Sequence, residues 1–213
     1  MYNTIPIHAE FARVIACARC STSTDRRLLR DSGENVPQPG YLGADYERSK
    51  VLLVGQNPGS SNVLEAEDRP YTAALRSLRD RPTSEEYTKL AKVLDAFIPQ
   101  WPVHRNYFPL TECVLRLDEI AYFNLVRCRT SRNCSPGALV VSNCVSEHFS
   151  RWLSLLSPRV VVFIGKWASD RGAKIVAALG IPHIFMNRQR SLSAAERAEN
   201  RAAVVAFVNA HRG

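Results

Sequence analysis

The sequence predicts an α/β protein, a three-layer α/β/α sandwich around a central, mostly parallel sheet. Val51-Leu52-Leu53-Val54 and Val160-Val161-Val162-Phe163-Ile164 are apolar runs without alternation, the pattern of strands buried on both faces. Ala121-Tyr122-Phe123-Asn124-Leu125-Val126 reads as a further buried strand with an Asn inside it. Segments of helical spacing separate these runs, and such strand–helix alternation places helices against a parallel sheet.

Each element follows from its residues. Residues 8–16 carry a short apolar-polar helical pattern that leads into Cys17 and Cys20. Residues 21–48 are polar and turn-rich, with Pro37, Pro39 and Gly40, and are expected to wrap the surface. After the strand at 51–54 a loop covers 55–70. Over 84–98 the positions Tyr87, Leu90, Val93, Leu94 and Phe97 have helical spacing, with Thr83 or Ser84 as N-cap. The strand at 121–126 runs into an Arg- and Cys-bearing loop, Arg127–Gly137. A helix is expected over 140–156, a strand over 160–165, a helix over 166–179 and a short strand over 181–186. Ser193-Ala194-Ala195-Glu196 is a capping box that opens a last helix to about His211. No repeat, low-complexity tract or dividing linker is present, so a single domain over 1–213 is expected.

Composition narrows the function classes. With 46% hydrophobic and 23% charged residues, the 213-residue chain has an ordinary globular balance and length enough for a sizeable core. It contains no apolar run of about 18 residues, so no membrane span is expected. Met1-Tyr2-Asn3-Thr4-Ile5-Pro6 lacks the layout of a signal peptide, and a cytoplasmic location is the default. The net charge of +8, mostly from Arg, suits a polyanionic partner such as phosphate, although a solvated basic surface has the same composition.

Six cysteines without an export signal argue against a disulfide framework. Cys17-Ala18-Arg19-Cys20 is a C-x2-C pair, open to zinc, redox or iron–sulfur readings, or to two buried thiols. Cys113, Cys128, Cys134 and Cys144 lie far downstream. The five His residues have no metal-ligand spacing, and His148 and His183 read as structural.

The most informative stretch is Val51–Gly59. Its apolar strand breaks at Gly55, and Pro58-Gly59 forces a turn. Two carboxamides, Gln56 and Asn57, thus stand at the carboxyl end of a strand, where open α/β sheets bind ligands. An ordinary β–α connection uses the same turn residues. Asn124, a polar group inside a buried strand, needs a partner or a ligand to offset its desolvation.

Taken in order, these features resemble the uracil-DNA glycosylase superfamily. The match rests on Cys17-x2-Cys20, Val51–Gly59, Asp68-Arg69-Pro70-Tyr71, Asn124-Leu125-Val126-Arg127-Cys128-Arg129, Cys144, and a strand ending in Ile164-Gly165-Lys166. The cysteine spacing is similar to the iron–sulfur branch. The resemblance covers roughly residues 10–210. Gly-Gln-Asn-Pro-Gly departs from that branch, which has a Glu where Gln56 stands, and resembles the mismatch-specific branch instead. Met186-Asn187-Arg188-Gln189-Arg190-Ser191 keeps the Asn of the last motif, lacks its Pro and adds two arginines.

The resemblance implies a monofunctional base-excision repair glycosylase acting on uracil or a modified uracil in DNA. It implies Asn57 as the water-positioning residue and Asn187 as the group assisting the leaving base. Gly55, Gln56, Tyr71 and Asn124 would bind the base, with Tyr71 stacking on it and Asn124 reading its edge. Arg129, Arg132, Arg188, Arg190 and Leu192 would contact DNA, and Arg127 falls in the same basic loop. Cys17, Cys20, Cys128 and Cys144 would hold a [4Fe–4S] cluster, with zinc as the alternative. DNA is the implied partner of a nucleoid-associated monomer. No Lys stands where the family pattern would place a Schiff base, so lyase activity is not expected. A non-catalytic iron–sulfur protein that recognises extruded bases or abasic sites, and a glycosylase for a 5-substituted or otherwise deaminated base, are the alternatives.

Overall fold

The computed structural model describes residues 6–20, 28–29, 36–59, 69–101, 104, 110, 115–188 and 192–213. The chain divides into two compact units, which are described in turn.

One unit is drawn from residues 41–56, 98–125 and 150–213 and contains the sheet. Its strands are β1 (Tyr41–Leu42), β2 (Val51–Gly55), β3 (Ile120–Asn124), β4 (Val160–Ile164) and β5 (His183–Met186). They lie in the order β1-β3-β2-β4-β5. The pairs β2–β3, β2–β4 and β4–β5 are parallel, whereas β1 runs antiparallel to β3, so the sheet is mixed but mostly parallel, as the sequence predicts. Every residue of β2, β3 and β4 is buried, which accounts for their unbroken apolar runs. The edge strand β5 is only partly buried. The two-residue strand β1 falls inside the turn-rich stretch, too short to leave an alternation pattern.

Helix α2 (Tyr46–Ser49) leads into β2 and ends at Lys50, whose φ of 51° turns the chain into the strand. Among the described residues this unit also contains three longer helices. Helix α6 (Ser150–Leu156) sets Trp152 against Phe123 of β3, ring centroids 5.5 Å apart. Helix α7 is Lys166–Ala178 and α8 is Ala194–His211. The capping box of α8 is present: Glu196 N–H donates to Ser193 Oγ at 3.3 Å, and Ser193 N–H donates to Glu196 Oε2 at 2.7 Å.

The other unit is drawn from residues 1–40, 57–97 and 126–149. It contains α1 (Ile7–Ile15), α3 (Arg69–Asp80), α4 (Ser84–Phe97) and α5 (Ala138–Cys144). The sequence reading assigns no element to most of α3, because charged residues interrupt its apolar positions. Tyr71, Leu75 and Leu78 nevertheless share one face and are buried, which is enough to hold the helix. Phe11 of α1 meets Tyr87 of α4 edge-to-face, ring centroids 5.0 Å apart. The single helix expected over 140–156 is a different object: α5 ends at Cys144, and Val145–Phe149 form a π-helical turn before α6. Such widened turns are rare and occur mainly at functional sites.

Glu86 joins α3 to α4. It is 5% exposed, accepts from Ser77 Oγ at 2.6 Å and Lys89 Nζ at 3.0 Å, and forms an ion pair with the Arg81 guanidinium at 3.0 Å. The Ser77 and Lys89 hydrogen bonds, aided by Arg81, hold its carboxyl below the ordinary value of 4.5. A depressed folded pKa stabilises the folded state above the unfolded value, and that contribution is lost as pH falls through the folded one. Urea unfolding of the parent and Glu86→Gln should therefore differ most at neutral pH, and the difference should shrink below pH 4.5.

Candidate functional site

In the sheet unit the site begins with register. Gly55 at the end of β2 is the partner of Asn124 at the end of β3, and Leu125 N–H donates to Gly55 O at 2.9 Å. A Cβ on Gly55 would stand 2.3 Å from Asn124 Oδ1 and 3.1 Å from the Tyr122 hydroxyl oxygen, so only glycine leaves room for this carboxamide. Asn124 is 7% exposed. Tyr122, two residues earlier on the same strand face, donates its hydroxyl to Asn124 Oδ1 at 3.0 Å. That bond holds the amide with its carbonyl toward Tyr122 and leaves Nδ2 as the donor end.

Gln56 follows directly and is nearly buried. Its Oε1 accepts from an Arg188 guanidinium nitrogen. The Arg188 side chain crosses Gly165, whose φ of 85° and missing Cβ permit the approach: a Cβ there would lie 3.1 Å from Arg188 Cγ. Gly165 N–H donates to Met186 O at 2.7 Å, so the ends of β4 and β5 hold this crossing in place. Asn187 is exposed, and its backbone N–H donates to Asn200 Oδ1 on α8 at 3.1 Å. Leu192 is half-buried. Arg190, expected to contact DNA, lies outside the described residues, as does Asp68 of the second motif. The structure thus brings Gly55, Gln56, Asn124 and Arg188 together in one unit.

Asn57 and Tyr71 belong to the other unit. Asn57 is half-buried, and its Nδ2 donates to Thr130 Oγ1 at 3.0 Å and to Pro58 O at 3.2 Å. Thr130 is fully buried and donates its hydroxyl to Cys134 O at 2.6 Å. Tyr71, expected as a stacking ring, is 1% exposed and is packed like its neighbours Leu75 and Leu78. In the basic loop Arg132 is exposed and Arg129 half-buried. Arg127 is 1% exposed and donates Nη1 to Pro39 O at 2.6 Å, so it braces the loop internally rather than reaching phosphate.

The same unit contains all four cysteines expected as ligands. Cys20, Cys128 and Cys144 are buried and Cys17 half-buried, none of them in a disulfide. Burial pushes the Cys144 thiol up to about 11, against a hydrogen bond from the Arg127 backbone, and the charges of Cys20 and Cys17 add to the rise. Asn143 Nδ2 donates to Cys20 Sγ at 3.6 Å. Buried thiols that receive N–H donors suit a thiolate-bound metal group, whose positive charge would supply the ionisation that burial opposes. Among the described residues, no three His, Cys, Asp or Glu side chains converge as the ligands of a metal ion.

Charged side chains clamp the Cys17–Cys20 turn. Arg13 donates to Glu10 at 2.7 Å and to Glu147 of the π-helical turn at 2.5 Å, and Arg19 donates to Glu147 at 3.1 Å. Burial pushes the Glu147 carboxyl up, but the bonds from Arg19 and Arg13 outweigh it and hold the group below its ordinary value. Glu10 is 1% exposed and is matched by Arg13. His148, also buried, lies with Nδ1 3.4 Å from Arg13, in agreement with a structural reading.

Three residues that hold the site escape sequence reasoning. Tyr122 was open to discovery, because positions two apart on a strand share a face. Thr130 and Glu147 left no signal, since their partners lie 73 and up to 134 positions away. Gly55→Ala tests the close approach at Asn124. The variant should lose about 1–3 kcal/mol of stability by overpacking. Its Asn124 side-chain amide resonances should also shift more than those of Asn143, which lies in the other unit.

The family model of the Uracil DNA glycosylase superfamily matches residues 43–210, most of the chain. No curated protein sequence matches it. No helix among the described residues is long and apolar enough to cross a membrane. The strand-end carboxamides, the glycine that admits Asn124 and the extent of the match lead to one conclusion: the chain belongs to the uracil-DNA glycosylase superfamily.

Proposed function

We propose that this chain is a monofunctional DNA glycosylase that hydrolyses the N-glycosidic bond of uracil, or of a modified uracil, and leaves an abasic site. The observation that carries the proposal is the Asn124 amide. Its Oδ1 accepts from Tyr122 and its Nδ2 end remains to donate, which matches a base that presents a carbonyl oxygen such as O4 of uracil. Cytosine presents an amino donor at that position, so the same amide orientation disfavours it.

The mechanism follows from the residue types. The base leaves the duplex because its reactive bond is inaccessible within the stack. Asn57 orients a water on the anomeric carbon through its carbonyl oxygen; the bond to the base nitrogen breaks with its electron pair going to the base, which departs as an anion, and the water oxygen then adds to the sugar cation, its surplus proton passing to solvent. Asn is too weak a base to deprotonate that water strongly, which fits a dissociative step with an oxocarbenium-like sugar. Asn187 and backbone N–H groups at 55–59 are assigned to the departing base. Arg188 adds a cation at Gln56, and Arg129, Arg132, Arg190 and Leu192 are assigned to the DNA. Tyr71 keeps the stacking role from the family pattern alone, since its 1% exposure offers no ring face without a side-chain movement. Gly59, exposed and without a side chain, supports tolerance of a 5-substituent as the second reading.

Cys17, Cys20, Cys128 and Cys144 are assigned to one [4Fe–4S] cluster, with zinc as the alternative. The cluster would be structural. It would tie the N-terminal segment to the loop that follows β3 and to α5, and no chemical step passes through it.

Asn57→Ala should slow single-turnover excision from a uracil oligonucleotide by about 100-fold or more. DNA affinity should change little, because the lost interaction forms mainly in the transition state. Parental speed in this variant would remove Asn57 from the mechanism. DNA binding without any abasic product would favour the non-catalytic reading.

Protein purified without oxygen should be brown and carry about four iron and four sulfide per chain. A colourless protein with one zinc would keep the ligand set and overturn the cluster.

A further inference from the structure

The geometry points to Thr130 as the residue that sets the orientation of the Asn57 carboxamide, and so as a positioning residue for excision. This deepens the glycosylase reading and rests on it.

A threonine hydroxyl has one proton and accepting lone pairs. Here the proton goes to Cys134 O at 2.6 Å, so toward Asn57 the Oγ1 can only accept. It accepts from Asn57 Nδ2 at 3.0 Å, while Pro58 O accepts from the same nitrogen at 3.2 Å. Both amide protons therefore have acceptors. Rotating the amide end for end would set Oδ1 against two oxygen acceptors at close range, an arrangement that forfeits both hydrogen bonds and adds repulsion. The chain Cys134 O, Thr130 hydroxyl, Asn57 amide thus fixes which end of Asn57 is the acceptor. Oδ1 is the only atom of the amide able to accept a hydrogen bond from water, and orienting water is the role proposed for Asn57.

Burial makes Thr130 a firm anchor. It is fully buried, and an antiparallel bridge joins it to Leu28. Two and three positions on, Arg132 and Asn133 both have φ of 54°, and their turn brings Cys134 O back to Thr130. A carboxylate in place of Asn57 would meet the Thr130 oxygen as acceptor against acceptor unless the hydroxyl abandoned Cys134 O. This gives a physical reason for Asn rather than Asp at this strand end.

Single-turnover excision of uracil should be measured for the parent, T130V, T130S, N57A and the T130V/N57A double variant, with DNA affinity measured in parallel. Val copies the shape of Thr and removes the acceptor. T130V should be about 10- to 100-fold slower, with affinity within a few-fold of the parent, and T130S should recover most of the rate. In the N57A background T130V should add no further loss, since its effect passes through the Asn57 amide. If T130V does not fold, T130C, whose sulfur is a poor acceptor, should show the same pattern. T130V at parental speed, or a loss that multiplies with that of N57A, would overturn the assignment while leaving the glycosylase reading intact. A parent that binds DNA and releases no base would overturn both.

Discussion

The candidate site depends first on the parallel pairing of Gly55 with Asn124. Because β2 and β3 end level with each other, Gln56 and Leu125 follow at the same end of the sheet. Because Gly55 has no side chain, the Asn124 carboxamide occupies the volume where any other residue would place a Cβ. A slip of one position would send Asn124 to the opposite face and Tyr122 with it. The buried apolar run that precedes Gly55 is what prevents such a slip, since each residue of β2 has neighbours on both sides.

Each unit holds carboxamides with defined ends. An amide is nearly symmetrical in shape, so packing alone does not decide which end is oxygen. Hydrogen-bond logic does. Tyr122 donates to Asn124 and so selects its oxygen end, whereas Thr130 accepts from Asn57 and selects its nitrogen end. The two asparagines are thereby given opposite characters, one presenting a donor and the other an acceptor. Arg188 treats Gln56 as Tyr122 treats Asn124, donating to its oxygen. Uncharged side chains take on the character of specific donors and acceptors through neighbours that are themselves committed.

Charge is handled differently. Around the Cys17–Cys20 turn, Glu10 and Glu147 are matched by Arg13 and Arg19, and Glu147 keeps its charge despite partial burial because it has two guanidinium partners. The π-helical turn after Cys144 is where Glu147 and His148 come to meet Arg13. Arg127 belongs to the same internal framework, although its position in a basic loop suggests a phosphate contact.

By itself the sequence determined the fold class, the buried strands, the capping box of the last helix and the strand end that carries Gln56 and Asn57. These are local properties, written in runs of apolar residues, in turn-forming glycine and proline, and in spacing along one segment. The ordered motifs also sufficed for the family resemblance. What only the tertiary structure decided is which neighbours give those side chains their chemistry. Leu28 meets Thr130 and Thr130 meets Asn57 across long stretches of chain, and nothing in the pattern around any of them announces the others. The resemblance implies Tyr71 as a ring that stacks on the base, and in the fold that ring is 1% exposed, because exposure depends on what lies against a residue rather than on its neighbours in the chain. Hydrogen bonds between distant residues follow from the path of the whole chain, and a linear pattern does not carry that information.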